Sequence, residues 1–440
     1  MSDPGATRFE VRTADWLSLD EAQARIFSGA IRLPEEVVDA PDALGRALAR
    51  DLNSTATLPP WDNSAMDGYA VRGGDIAGAS PSSPVVLAIT DVVRAGQVPG
   101  VPVGPGQAVR IMTGAPVPSG ADSVVRVEDT DAEQQSGSVR VLSDRDRGRN
   151  VRPAGEDMLV GDPVLTAGQV VTPGTIAVLS TLGLTSVPVV RRPLVAILTT
   201  GDELRTPERY EEVRSGAGVP ESNGPMLAAA VAQAAGLPMP LGIAADAEDD
   251  LRGRIENGAD ADVLVTVGGA SMGEADLVKR VLDELGFEQS FWRTLIRPGS
   301  PFGFGWIPRG TGKGAWRQPV FGLPGNPSSA FVTFELFVRP FLLALAGQSN
   351  ILRRRVACVA GETLRGPANL TCFLRVGIAP GPLPARVTLV GPQGSGLVRT
   401  LARADGLAVI PEGTHEVAEG QPVEVMLLDD TPGAEPFKFA

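Results

Sequence analysis

Pro193-Leu-Val-Ala-Ile-Leu-Thr-Thr200 opens a long alternation in this chain. SNGPMLAAAVAQAAG (222–236), PMPLGIAA (238–245), DDLRGRIENG (249–258), DVLVTV (262–267), DLVKRVLDELG (276–286), PVFGLP (319–324) and NPSSAFVTFELFVRPFLLALAG (326–347) follow in order. The first, third, fifth and seventh are short, near-continuous apolar runs, as expected of strands buried on both faces. The others carry helix signals, such as Ser222 as a cap and Gly236 as a stop. Strand and helix in turn predict a doubly wound, mostly parallel α/β sheet over 191–347.

Working outward, the pattern changes on both sides. Residues 351–440 return to short strands and turns: RVACVA, LTCFLRVGIA, ARVTLV, LAVIPEG and QPVEVMLL. From Thr55 to about Val141, Pro and Gly punctuate apolar runs such as VVLAIT, QAVRIM and DSVVRV, which reads as a second β-rich domain. The polar stretch 132–150 reads as a surface hairpin or loop. Ser18-Leu-Asp-Glu21 is a capping box that opens a helix over 18–30, and 41–50 reads as a second short helix. Thr172-Pro173 starts another helix, before the strand SVPVV. The fold class is therefore α/β plus β, and multidomain.

Composition removes several chemistries. His415 is the only histidine of 440 residues and lies in the turn-like PEGTHEV, which predicts a surface position. A Ser-His-Asp triad and any multi-histidine metal site are thereby disfavoured. Two cysteines, Cys358 and Cys372, cannot make a disulfide framework or a four-cysteine zinc site. A net charge of −13, with basic clusters only at Arg145–Arg149 and Arg353–Arg355, argues against nucleic acid. No run of eighteen apolar residues and no basic-then-apolar start appear, so neither a membrane nor a secretory signal is expected, and a cytoplasmic address fits. Acid–base work falls to carboxylates, and a metal would be a hard cation held by oxygen.

In a doubly wound sheet the ligand lies beyond the carboxyl ends of the strands. Three segments fall there: Thr200-Gly-Asp-Glu203, Gly268-Gly269-Ala-Ser271-Met-Gly-Glu-Ala-Asp276, and Leu323-Pro324-Gly325-Asn326-Pro327-Ser328. Glycines let backbone N–H groups approach an anion, and helix N-termini favour negative charge. Any one such loop reads more readily as a turn. Three at equivalent ends of one sheet read as a phosphate-carrying ligand site. Neither a P-loop nor the dinucleotide fingerprint is present. Elsewhere, LPPWDNSAMDGYAV (58–71) sets Asp62 and Asp67 among aromatic residues. RIMTGAPVP from Arg110 and Arg152-Pro-Ala-Gly-Glu-Asp157 are similarly punctuated.

LPPWDNSAMDGYAV, RIMTGAPVPSGAD, VRPAGEDMLVGDPVLTAG, TTGDEL, GGASMGEADLVKRVL, RPGSPFGFG and GLPGNPSSAF together resemble the motifs of the molybdopterin molybdenumtransferases. That is the bacterial MoeA family, which is also similar to the C-terminal domain of gephyrin. The resemblance runs in order from about residue 15 to 430. It implies four domains: an elongated split one from 15–50 and 150–190, an inserted β domain at 51–149, a molybdopterin-binding α/β domain at 191–347, and a β-barrel-like domain at 348–440. It also implies a homodimer whose site is shared between the α/β domain of one subunit and the inserted domain of the other. The implied reaction takes adenylyl-molybdopterin and molybdate to molybdenum cofactor and AMP, with Mg²⁺ as the divalent cation. The adenylyltransferase that makes the intermediate is an implied partner.

Carried onto this sequence, the resemblance implies catalytic roles for Asp67, Asp157, Glu203 and Asp276. Glu203, Asp246 and Asp276 would hold the metal. Substrate contacts would come from Thr113, Gly268, Gly269, Ser271, Arg293, Arg297, Pro324, Gly325, Asn326, Pro327, Arg375 and Ser395. Some positions depart from the family. Arg293 and Arg297 stand where lysines are common, and a third lysine is replaced by Ser300. Glu221 stands where aspartate is usual. Arginine keeps the charge but presents a planar fork to an oxyanion. Arg297, after FWRTLI read as a strand, is expected at the ligand end of the sheet.

Three rival readings remain at this point: a non-catalytic pterin-binding or scaffold paralogue, a tungstate-inserting variant, and the adenylyltransferase itself. The acidic loop residues argue against a scaffold, and the additional domains against the adenylyltransferase.

Overall fold

The computed structural model describes residues 16–268, 274–379 and 384–429. The chain divides into two compact units: Arg50–Ala167 with Gly174–Thr185, and the rest.

The larger unit holds a six-stranded sheet in the order Leu237–Ala244, Leu194–Thr200, Val263–Val267, Trp316–Leu323, Gly303–Arg309, Glu288–Phe291. The first four strands are parallel and the last two antiparallel. Successive side chains of a strand face opposite sides. Val195, Ile197, Val263, Val265 and Val267 therefore enter one core with the helices Asn223–Gln233 and Pro327–Leu345. Ala196, Leu198 and Leu264 enter the other, with the helices Glu248–Asn257 and Glu274–Glu284. Phe302, Phe304, Phe321, Phe334, Phe337 and Phe341 are fully buried in the first core, each contributing about 1.5–3 kcal/mol of transfer energy.

The helix 327–345 has mean hydropathy 1.5, and 83% of it is buried inside the protein. Its apolar run serves the core. The capped helix Leu19–Phe27, expected in a split domain, buries Leu19, Ala22 and Ile26 in the same core.

Three local expectations fail. Residues 132–150 are not all surface loop: Ser138–Val141 is a strand paired with Val85–Val93, and its Val139 and Val141 are fully buried. Residues 41–50 do not form an α-helix: after a single 3-10 turn at Ala40–Ala43, Gly45 takes φ +76°, and Ala47 and Leu48 bridge to Val170 and Val189. FWRTLI is not one strand. Its first residue ends Glu288–Phe291, and Ile296–Arg297 pairs in parallel with Thr371–Cys372 of the C-terminal sheet.

The antiparallel hairpin Gly303–Arg309/Trp316–Leu323 was not anticipated, because glycines hide its alternation. They are needed there. A Cβ at Gly303 would lie 2.4 Å from the Trp292 ring, and one at Gly305 2.4 Å from Phe287.

Past residue 350, the strands Thr371–Ile378, Arg386–Leu389, Arg355–Ala360, Pro422–Leu427 and Gly406–Ile410 pair in that order, and the last pairs back to the first. This is a closed five-stranded barrel around Cys358, Val376, Val387, Ala408 and Val425.

The smaller unit is built on the sheet Ser123–Arg126, Gly68–Val71, Gln107–Ile111, Val85–Val93, Ser138–Val141. Both faces are apolar. Tyr69, Val71, Ala108 and Val125 fill one core; Ala70, Val109, Ile111 and Val124 fill the other. The two basic clusters noted in sequence are engaged in ion pairs, including Arg145–Asp129, Arg353–Glu335 and Arg355–Glu424.

Candidate functional site: a cationic cavity at the sheet's carboxyl end

Within the larger unit, three strand ends meet. Gly268 takes φ +105°, and a Cβ there would lie 2.7 Å from Thr200 Oγ1 and 2.8 Å from the Thr200 carbonyl. Its N–H donates to Leu323 O at 3.3 Å. Asn223 Nδ2 donates to Gly325 O at 2.7 Å, joining a helix start to the third loop. The barrel is fastened to the same loop, since Ser328 N–H donates to Ser395 O (2.9 Å) and Ser328 Oγ to Leu397 O (2.8 Å).

These segments enclose a cavity of about 1750 Å³. That exceeds the 300–1,000 Å³ or so of ordinary small-molecule pockets and suits an extended ligand. Glu203, Gly268, Arg293, Arg297, Pro324, Gly325, Asn326, Pro327 and Ser395 all line it, as does Ser300. Gly269 and Ser271 lie outside the described residues. Asp276 falls in the helix Glu274–Glu284, its side chain also outside them.

Among the described residues the wall carries more arginine than carboxylate. Arg293, Arg297 and Arg365 face one described carboxylate, Glu203. Arg365 pairs with Glu416 at 3.1 Å. Among the described residues neither Arg293 nor Arg297 has a carboxylate partner; Arg293 instead lies over Trp16, its Cζ 5.4 Å from the ring centroid. Arg297 reaches the wall on the short strand that joins the barrel sheet, not on a strand of the α/β sheet as expected. Ser300 Oγ donates back to Ile296 O at 2.6 Å, closing its own turn.

Other candidate residues lie off this wall. Arg375 is fully buried in the barrel. Its Nη2 donates to Pro392 O (3.3 Å) and Gly394 O (3.1 Å), and its N–H to Gln393 Oε1 (2.8 Å), so it shapes the loop that carries Ser395. Its Nε and Nη1 have no hydrogen-bond partner among the described residues, and burial lowers its pKa. Asp246 faces Asp202: each backbone N–H donates to the other's carboxylate, at 3.2 and 3.4 Å. Glu221 Oε1 accepts from Gly224 N–H at 2.7 Å in the first turn of Asn223–Gln233, which gives the longer acid a capping role. Cys372 lies on the wall, but burial pushes its thiol up to about 11, so it is no thiolate at neutral pH.

The smaller unit carries Asp67, Thr113 and Asp157 on exposed loops. Asp67 Oδ1 accepts from Thr113 N–H (2.7 Å) and Thr113 Oγ1 (2.9 Å). These two bonds, the backbone one first, hold its carboxyl below the ordinary value. Gly68 is required beside it, since a Cβ there would lie 2.0 Å from Val125 O. Asp62 Oδ1 accepts from Ala154 N–H at 2.8 Å. Asp157 is exposed, and its N–H donates to Leu58 O at 3.1 Å.

Trp16, Tyr210, Asn223, Gln393 and His415 also line the cavity and were not singled out as site residues in the sequence. His415 is exposed, as expected, yet it stands on the rim. Only the barrel's strand order brings it there.

Glycine-shaped loops at the carboxyl end of a parallel sheet, beside arginines that have no carboxylate partner among the described residues, are the features expected of a protein that binds an anionic organic ligand. Residues 17–183 match the family described as "MoeA N-terminal region (domain I and II)", 196–344 "Probable molybdopterin binding domain", and 358–428 "MoeA C-terminal region (domain IV)". A molybdopterin molybdenumtransferase of Bacillus subtilis is 35% identical over 430 residues, covering 95% of this chain and 96% of that one. Molybdopterin molybdenumtransferase 2 of Mycobacterium tuberculosis is 36% identical over 394 residues, covering 88% and 94%. The crystal structure of a molybdopterin biosynthesis moeA protein from Pyrococcus horikoshii superimposes with TM-score 0.80 at 28% identity, over 94% of this chain and 100% of that one. The chain belongs to the MoeA family, the molybdopterin molybdenumtransferases of molybdenum cofactor biosynthesis.

Proposed function

We propose that this enzyme inserts molybdenum into adenylyl-molybdopterin, using molybdate and releasing AMP. The observation that carries the reading is the cavity wall on which Arg293 and Arg297, without carboxylate partners among the described residues, face three glycine-shaped strand-end loops. A pyrophosphate-bridged substrate presents the oxygens such a wall binds, and a guanidinium takes two of them at once. Arg293 and Arg297 hold phosphate or oxyanion oxygens. Gly268, Gly325 and Asn326 bring backbone and amide groups to the same face. Pro324 and Pro327 fix the loop's course. Ser395 presents its hydroxyl from the barrel side. Arg375 acts beneath it by holding the 392–394 carbonyls in place.

Glu203, with no side-chain hydrogen bond among the described residues, has oxygen-donor chemistry that suits Mg²⁺, as do Asp246 and Asp276. Gly201 supports the fit, because a Cβ there would lie 2.6 Å from both Glu203 carboxylate oxygens. The cation would rest on one or two carboxylates and the substrate's own phosphates, and its chemistry is neutralisation of their charge. The enzyme acts as a cytoplasmic homodimer in which Asp67, Thr113 and Asp157 of one subunit complete the cavity of the other. The molybdopterin adenylyltransferase hands over the substrate.

The test supplies adenylyl-molybdopterin, Mg²⁺ and molybdate or tungstate, and measures AMP and cofactor. AMP formation with molybdate is expected. No AMP would leave a pterin-binding scaffold, and AMP with tungstate alone a tungstate enzyme. Sedimentation should show two copies; a fully active monomer would sink the shared site.

A further inference from the structure

The chain just before the helix Leu19–Phe27 is clipped to the cavity edge. Leu17 is buried in the α/β core. Its N–H donates to Arg293 O at 3.2 Å, and its carbonyl accepts from Leu295 N–H at 2.8 Å, forming a parallel bridge to Thr294. The Ser18–Glu21 capping box fixes the next residue of the chain. Trp16 is thereby held half-buried on the cavity wall, beneath the Arg293 guanidinium.

We propose that Trp16 is a positioning residue for substrate binding: its indole face holds the Arg293 guanidinium so that the N–H edge stays available to an anionic group of the substrate. This rests on the reading of the cavity as an anion-binding transferase site. A carboxylate could also fix an arginine, but it would occupy the N–H donors and cancel the charge. An aromatic ring takes only the face of the cation and leaves all five N–H groups free. An ammonium has no planar face to stack, so the pairing suits arginine at 293 rather than lysine. The clip through Leu17 supplies what a surface stack lacks, a backbone tied to the 293–295 segment at the residue next to the ring.

A double-mutant cycle tests the proposal, with inorganic pyrophosphate and, separately, molybdate as probes in calorimetric titrations of the full chain. Arg293→Ala should weaken binding. Trp16→Ala should weaken it by roughly two- to thirty-fold, the range of a cation–π contact from exposed to desolvated. Trp16→Phe should keep most of the affinity. Trp16→Leu, which retains apolar cover without a π face, should behave like Trp16→Ala. In the Arg293→Ala background, Trp16→Ala should cause no further loss. Equal losses in both backgrounds, or wild-type binding by Trp16→Leu, overturn the role assigned to Trp16 and leave the anion site standing. Wild-type binding by Arg293→Ala overturns the anion site at this wall, and the proposal with it.

Discussion

Glu203 and Asp67 are both exposed carboxylates next to glycines that a side chain could not replace, yet they are held in opposite ways. Asp67 receives two hydrogen bonds from Thr113, and its geometry is set by the fold of the smaller unit. Glu203 has no such bond among the described residues and stands on a wall with arginines. One carboxylate is placed before any ligand arrives. The other has no side-chain hydrogen bond among the described residues to place it. Locked groups suit chemistry at a fixed point, and free ones suit adaptation to phosphates or a cation.

The hardest test is removal of one carboxylate charge from each unit, Asp67 from the smaller and Asp276 from the larger. Asp67→Asn and Asp276→Asn should each cut AMP release by about 10²–10⁴, if general-base figures apply, with unchanged circular dichroism. Wild-type turnover in both would remove the carboxylates from the mechanism. Next, Arg297→Ala should weaken pyrophosphate or molybdate binding by roughly 10–100-fold, the scale of a charge-assisted hydrogen bond, and Arg297→Lys by less. Titrations at low and moderate salt would show whether it is only a surface charge. Gly268→Ala puts a methyl against Thr200 at a positive φ and should cost about 1–3 kcal/mol in denaturant unfolding. An unchanged midpoint would mean that the strand-end loops are slack.

The smallest effect concerns pH. The Asp67 carboxyl is lowered in the fold, so the stabilisation it brings is complete above the ordinary carboxylate range and is lost as pH falls through the lowered value. Thr113→Ala removes the hydroxyl bond and leaves the larger backbone one. The Asp67 titration by carbon NMR should therefore move part of the way back up, and the acid limb of stability with it. No movement would show that the hydroxyl does not hold the charge.

Much of this was legible in the residues. The apolar runs from Leu194 to Leu323 predicted the parallel strands, because a strand buried on both faces has no polar alternation to hide it. The glycines of the 201, 268 and 325 loops marked the end of the sheet that borders the cavity. Composition could not show where the chain crosses between layers. Ile296–Arg297 looks like the end of a sheet strand and pairs with the barrel instead. Trp16 and His415 lie near opposite ends of the sequence, with no local pattern, and only tertiary packing brings both to the cavity. The helix expected over 41–50 yields to bridge pairing at Ala47 and Leu48, where tertiary contacts outweigh propensity.

The short strand Ile296–Arg297 has a mechanical consequence. It sutures the barrel to the α/β layer on one side of the cavity, while the Ser328 bonds to Ser395 and Leu397 suture it on another. Swinging the barrel away as a lid would tear both seams. The barrel and the α/β layer therefore act on the cavity as the two jaws of one vice, riveted together at two places.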